Sequence, residues 1–318
     1  MYKLSVCIPT YNRYTSLIKQ VEYFIEEIDK DDLKIELVVS NNCSTDETRD
    51  YLDSVKEKYP KVIVNHNKEN LGLIGNLNKV CEIAKGEYIW VVGDDDSIYP
   101  GTLRRVFSVL ETHNDIMRIF LNYRTIANGD VVEKRVFEGI TGYYNDGFEM
   151  FSNITEANSL GLSMFLSANI FKREQLLEAN EIVKKCGEVA NLALPLGWSL
   201  FCAIGAGYII DKVSLDNKLD GISWSDSKIR VFYRDQIAIC DLLSLHMGIN
   251  DRLNNLMIRN LPSSYSEIKF LIMNRNEGLD NYAAKWLWKN FKALYFKDIL
   301  TFPFYVLKLL FKKTGIKL

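Results

Sequence analysis

Histidine is scarce in this chain and cysteine is scattered. The three histidines, His66, His113 and His246, stand too far apart for a zinc spacing. The six cysteines (Cys7, Cys43, Cys81, Cys186, Cys202 and Cys240) form no C-x-x-C pair, which suits a reduced compartment. No Walker A, G-x-G-x-x-G or H-E-x-x-H pattern occurs, so nothing supports an ATPase, a dinucleotide dehydrogenase or a zinc protease. An excess of positive charge is also lacking. The 39 Lys and Arg are met by 41 Asp and Glu, a net of −2, which disfavours a globally basic nucleic-acid binder. With 47% hydrophobic and 25% charged residues, disorder is excluded as the main state. The 318 residues suffice for one large domain or two ordinary ones.

Residues 1–9 lack a signal-peptide layout and read directly as a buried strand, which places the chain in the cytosol or on the cytosolic side of a membrane. The 22 positions between Glu188 and Asp211 carry no charge, long enough to span a bilayer. They include Asn191, Pro195, Ser199 and three glycines, however, and end in a strand-like Gly207-Tyr-Ile-Ile-Asp. A buried helix followed by a strand is the better reading.

The first half alternates apolar runs with amphipathic segments. Strands are expected at Leu4–Ile8, Ile35–Val39, Val62–Val64 and Tyr88–Val92. Helices are expected after a cap at Thr15 or Ser16, over Asp46–Tyr59, near Asn76–Ala84, and from Pro100. This alternation predicts an α/β fold with a mainly parallel, Rossmann-like sheet and flanking helices. Ligands then bind beyond the carboxyl ends of the strands. The loops in question are Pro9–Tyr14, Ser40–Asp46 and Gly93–Ser97. Beyond Asn122 the pattern loosens, with a strand expected over Ser163–Phe171 and mostly helix after Asp220. Two domains are expected, 1–217 and a helical 218–318.

Three carboxylates, Asp94, Asp95 and Asp96, directly follow the fourth strand. Adjacent carboxylates repel one another unless a cation or solvent compensates. Mg²⁺ or Mn²⁺ commonly bridges one or two carboxylates to substrate phosphates. A solvated acidic turn that also caps the helix at Pro100 accounts for the triplet equally well.

Neighbouring motifs weigh on that choice. Ile8-Pro-Thr-Tyr-Asn-Arg follows the first strand, Val38-Val-Ser-Asn-Asn-Cys-Ser-Thr-Asp ends the second, and Asn70-Leu-Gly…Asn76 precedes the acidic strand. In this order and spacing they resemble the family 2 glycosyltransferases of GT-A fold, closely over Lys3–Leu110 and more loosely to Phe171-Lys-Arg-Glu. The resemblance implies that Pro9, Thr10, Tyr11 and Arg13 lie against a nucleotide. It implies that Asp94 and Asp95 serve the ribose, and that Asp96, with or without Asp94, binds Mg²⁺ or Mn²⁺ on the donor diphosphate. Gly72 and Asn76 would shape the same pocket, although helix-start packing explains them nearly as well. Asn41 departs from the usual Asp. Its amide donates or accepts, which suits a CDP-linked as well as a UDP-linked donor, and it equally reads as a turn former.

The resemblance further implies an inverting transfer of one sugar to a lipid-linked glycan acceptor of O-antigen or capsule type. Such a reaction needs a base, and the acidic "ED" pair common in relatives is missing. Glu188 is the nearest positional match, with Asp211, Asp216 and Asp226 as competitors; a surface helix-start carboxylate is the plain alternative for Glu188. Trp224, Tyr233 and Arg234, near Arg230, can contact an acceptor sugar or pack between elements. A protein or soluble-sugar acceptor, or a silent nucleotide-sugar-binding scaffold, are the competing functions.

Residues 281–318 hold eight lysines against Asp298 alone, a net of +7 that leaves −9 for the rest. Lys285, Lys289 and Lys292 face away from Leu287, Phe291 and Leu294. This composition suits an interfacial helix on an anionic membrane, peripheral on its inner face, and competes with simple packing on the core.

Overall fold

The computed structural model describes residues 2–31, 33–157, 160–187, 191–219 and 230–248. The chain divides into two compact units, Met1–Ser225 and Asp226–Leu318. The first is built on a ten-stranded sheet with eight strands in continuous order, β3-β2-β1-β4-β9-β6-β10-β5.

The expected half is regular. Strands β1 (Leu4–Thr10), β2 (Ile35–Asn41), β3 (Val62–His66) and β4 (Tyr88–Val91) pair in parallel, with Thr10, Asn41 and His66 in one register row. Helices α1 (Tyr14–Asp31), α2 (Thr48–Lys58) and α3 (Gly72–Ile83) make the crossovers. Leu17, Val21 and Phe24 on α1 are fully buried, as the helical period requires. The cap of α1 differs from expectation: neither Thr15 nor Ser16 supplies it. Asp46 Oδ2 accepts the Tyr14 N–H at 3.1 Å while its Oδ1 accepts the Thr48 N–H at 3.2 Å, so one carboxylate closes two helix starts. Helix α4 begins at Thr102 rather than at Pro100, behind Gly101 in the left-handed region with φ 75°.

The second half corrects the mainly parallel expectation: the sheet is mixed. Strand β9 (Asn169–Lys172) runs antiparallel between β4 and the long β6 (Ile116–Ala127), and β10 (Ala206–Lys218) lies parallel to β6. The short strands β5 (Ser97–Ile98) and β8 (Gly142–Tyr144) pair antiparallel with β10. Strand β7 (Asp130–Glu133) folds back on β6 through Asn128 and Gly129, both at positive φ (53° and 83°). A two-residue link of that kind makes a hairpin and cannot cross over. The strand expected over Ser163–Phe171 is also corrected. Residues Leu160–Met164 and Leu166–Ala168 form 3₁₀ turns, with the buried hydroxyls of Ser163 and Ser167 bonded to the distant Arg118 and Asp96, and extended pairing starts only at Asn169.

After α4 (Thr102–Thr112), α5 (Gly147–Ala157) and α6 (Arg173–Lys185), the charge-free run becomes α7 (Leu194–Phe201), all eight residues of it buried, followed by β10. Among the described residues no helix is long and apolar enough to cross a membrane. In the second unit, a π-helical turn Val231–Asp235 leads into helix Gln236–Met247. Residues 281–318 lie outside the described residues.

Candidate active site

The carboxyl ends of β1, β2 and β4 bring the singled-out loops together. Thr10, 2% exposed, donates through Oγ1 to Asp94 Oδ2 at 2.7 Å. Arg13 Nη1 reaches Asp94 Oδ1 at 3.2 Å and makes a closer pair with Asp95 Oδ2. Asp96 accepts from Ser167 Oγ, and Lys218 Nζ donates to the Asp95 carbonyl at 3.0 Å. The loop turns at Gly93, where a Cβ would sit 2.6 Å from Asp96 Oδ2, so only glycine allows this close approach. Pro9 is partly exposed, and the Tyr11 ring is 43% exposed beside the site.

Burial pushes Asp94 up to about 6, against the Thr10 hydroxyl and Arg13, which lower it, and with Asp95, which raises it. Burial likewise raises Asp96 to about 6, with Ser167 opposing and Asp95 reinforcing. The chain therefore under-compensates two carboxylates in one loop. Among the described residues no three His, Cys, Asp or Glu side chains converge into a closed cage. The donor set fits a hard divalent cation that takes one or two carboxylates and completes its shell from phosphate and water.

The floor of the site is a network of neutral amides. Asn76, 3% exposed, accepts from Ser40 Oγ (2.7 Å) and Asn67 Nδ2 (2.9 Å), and donates to the carbonyls of Ser40 (3.0 Å) and Thr10 (3.5 Å). Asn42 Oδ1 accepts from Leu71 N–H and from Asn67 Nδ2, and its Nδ2 donates to Asn70 Oδ1. Gly72, at φ 71°, is exposed and donates its N–H to Asn70 Oδ1. Asn76 thus ties the ends of β1 and β2 to the Asn67 loop, and Gly72 bonds to Asn70 at the start of α3.

Asn41 is 1% exposed. Its Oδ1 accepts the Ser44 N–H at 2.9 Å and its Nδ2 meets His66 Nδ1 at 3.0 Å. The Ser44 donor settles the amide orientation, and His66 Nε2 continues to Asp53 Oδ1 at 3.1 Å.

The base candidates fare unequally. Asp216 is held by Arg124 (2.8 and 3.0 Å) and by the Tyr99 hydroxyl. Although burial opposes it, these bonds keep its carboxyl below the ordinary range, which makes it a poor base. Asp211 accepts from Asn122 Nδ2 at 3.1 Å, in the middle of β10. Glu188, Asp226 and Trp224 lie outside the described residues, as does the side chain of Tyr233. Arg234, in the second unit, pairs with the fully buried Asp235 at 2.9 Å. Sequence reasoning missed Ser167, Lys218, Asn42 and Asn67. Only the density of asparagine between Asn41 and Asn76 hinted at the amide network.

An acidic loop at the carboxyl ends of the parallel strands, within a mixed sheet flanked by helices, is the candidate site. The model of the Glycosyl transferase family 2 matches residues 5–164, and the chain belongs to that family. Abequosyltransferase RfbV of Salmonella typhimurium is 33% identical over 133 residues, 42% of this chain and 39% of the relative. The GalNAc(5)-diNAcBac-PP-undecaprenol beta-1,3-glucosyltransferase of Campylobacter jejuni is 33% identical over 105 residues, 32% of this chain and 33% of the relative. These alignments span well under half of each relative's length. The crystal structure of S. aureus TarS 1-349 in complex with UDP-GlcNAc superposes with TM-score 0.60 at 17% identity, over 92% of this chain and 81% of that one. The mannosyltransferase PcManGT from Pyrobaculum calidifontis, in complex with GDP-Man and Mn²⁺, gives 0.50 at 15% identity, over 93% and 88%. Both likenesses establish the GT-A fold.

Proposed function

We propose that the protein is a divalent-cation-dependent, inverting glycosyltransferase. It moves one sugar from a UDP- or CDP-type donor to a lipid-linked glycan in surface-polysaccharide assembly. The observation that carries this reading is the group Thr10, Arg13, Asp94, Asp95 and Asp96 at the carboxyl ends of the parallel strands. The names of RfbV and of the undecaprenol-linked glucosyltransferase support the acceptor class.

Asp96 and Asp94 would hold Mg²⁺ or Mn²⁺, which acts as a Lewis acid on the leaving diphosphate. Arg13, within reach of Asp94 and Asp95, supplies a second positive charge beside that diphosphate. Tyr11 offers its exposed face to the nucleoside. The acceptor hydroxyl attacks the anomeric carbon, the bond to the diphosphate oxygen breaks, and a carboxylate takes the hydroxyl proton. Glu188 is our candidate for that base. Trp224, Tyr233 and Arg234, with the domain 218–318, would serve the acceptor, and residues 281–318 the inner face of the membrane.

A thermal-shift panel of nucleoside diphosphates and nucleotide sugars, with and without Mn²⁺, tests the reading. Stabilisation by UDP or CDP that deepens with Mn²⁺ is expected, together with slow Mn²⁺-stimulated donor hydrolysis. Binding without any hydrolysis would favour the silent scaffold, and no response to any nucleotide would overturn the proposal.

A further inference from the structure

We infer that Ser167 is a positioning residue that sets which oxygen Asp96 offers to a divalent cation, an assignment that rests on the cation-binding reading of Asp96 above. Ser167 is fully buried. Its Oγ accepts the Gly93 N–H at 2.9 Å and donates its only proton to Asp96 Oδ2. The hydroxyl therefore has a fixed direction, and it fixes the plane of the carboxylate. The Gly93 backbone also bonds to the Asp96 carboxyl, and Oδ2 is the oxygen that the Ser167 hydroxyl occupies, which directs a ligand toward Oδ1.

Ser167 is itself held firmly. Its carbonyl accepts from Trp90 Nε1 at 2.9 Å, on the strand that leads into the acidic loop. Two residues on, Asn169 Oδ1 takes two bonds from the buried guanidinium of Arg118, at 2.9 and 2.6 Å, and Asn169 Nδ2 donates to the Phe165 carbonyl at 2.7 Å. Ser199 Oγ donates to the Ser163 carbonyl at 2.9 Å. The strap 160–169 is thus tied to β4, β6 and α7, and it presents one hydroxyl to the acidic loop. The Ser167 backbone anchors Trp90, while its side chain joins the Gly93 N–H to the Asp96 carboxyl. Partners that orient a ligating carboxylate typically change metal affinity by 10–100-fold.

The test is Mn²⁺ titration followed by electron paramagnetic resonance of the free ion, with CDP or UDP present, on the full chain. Ser167→Ala is expected to weaken Mn²⁺ binding by about tenfold or more. Metal-free nucleoside diphosphate binding, read by calorimetry, should stay as in the parent. Ser167→Cys, close in volume but a weaker donor, should fall between the two. Parent-like Mn²⁺ affinity in Ser167→Ala, alongside its loss in Asp96→Asn, overturns the role of Ser167 alone. Mn²⁺ affinity that survives Asp96→Asn overturns the reading of Asp96 and this inference with it. Should Ser167→Ala fail to fold, parent-like affinity in Ser167→Cys overturns the assignment.

Discussion

Thr10 Oγ1 donates to Asp94 Oδ2 at 2.7 Å across 84 positions of sequence, and joins the end of the first strand to the acidic loop. Thr10→Val keeps the shape and removes the proton. The Asp94 carboxyl, already at about 6, should then rise further, because the largest hydrogen bond favouring its ionised form is gone. Donor turnover is expected to fall about tenfold near pH 6 and recover in part by pH 8. A pH profile of kcat/KM checks this, and a loss independent of pH would remove Asp94 ionisation as the cause.

Stability without a metal should decline as pH rises from about 4 to above 6. Asp94 and Asp96 both have folded-state values raised to about 6 by burial, so the folded state binds more protons than the unfolded one across that interval. Each carboxylate costs on the order of 1–3 kcal/mol once ionised. Asp46, Glu87 and Asp216 are shifted the other way, so their contributions are already present above the ordinary carboxylate range. Melting curves in chelator at pH 5 and pH 7 test the sign. Asp96→Asn should raise the midpoint at pH 7 and flatten the slope.

Asn41→Asp tests base choice. With Oδ1 accepting from Ser44 and one Nδ2–H at His66, the amide keeps one N–H and one oxygen lone pair, and the N–H suits the N3 acceptor of cytosine. The aspartate variant should shift preference toward UDP by about tenfold, read as the ratio of UDP to CDP affinities. An unchanged ratio would leave Asn41 as a turn former only.

Asn76→Ala should cost about 2–4 kcal/mol, because it takes the acceptor from the Ser40 hydroxyl and an Asn67 N–H and a donor from the Ser40 carbonyl in a buried network. Chemical denaturation measures the loss. Nucleotide affinity should fall with it, since the Thr10 backbone loses its support.

Deletion of residues 281–318 should abolish co-sedimentation with anionic vesicles and leave binding of a nucleoside diphosphate intact. The eight lysines there predict a strong salt dependence for the parent protein. Undiminished sedimentation after deletion sinks the membrane role.

The parallel half of the fold was legible because each of its strands is an apolar run followed by a helix with apolar residues on one face. Asp94, Asp95, Asp96, Thr10 and Arg13 were legible because short loops keep chemistry close to a strand end. The antiparallel half was hidden by elements with weak periodicity. Ser163 and Ser167 mimic an alternating strand yet turn in 3₁₀ geometry. Asn76 reads from sequence as shaping the pocket or as helix-start packing, and the bonds of its amide to Ser40, Asn67 and Thr10 are a detail that residue type alone does not carry. Asp216 is one of several competitors for the base, and its ties to Arg124 and Tyr99 cannot be read from sequence.

The acidic loop also has a consequence for the order in which the chain is made. Asp94 meets Thr10 and Arg13 early in synthesis, but its loop waits 71 positions for Ser167, 117 for the Tyr99–Asp216 bond and 123 for Lys218. Such distant closures are entropically slow. A chain growing from its N-terminus can therefore seat Asp94 on Thr10 and Arg13 before the partners of Asp95 and Asp96 have been made. The segment matched by the family, residues 5–164, stops three residues short of Ser167. A fragment of that length holds Asp94, Asp95 and Asp96 but lacks the hydroxyl from which Asp96 accepts.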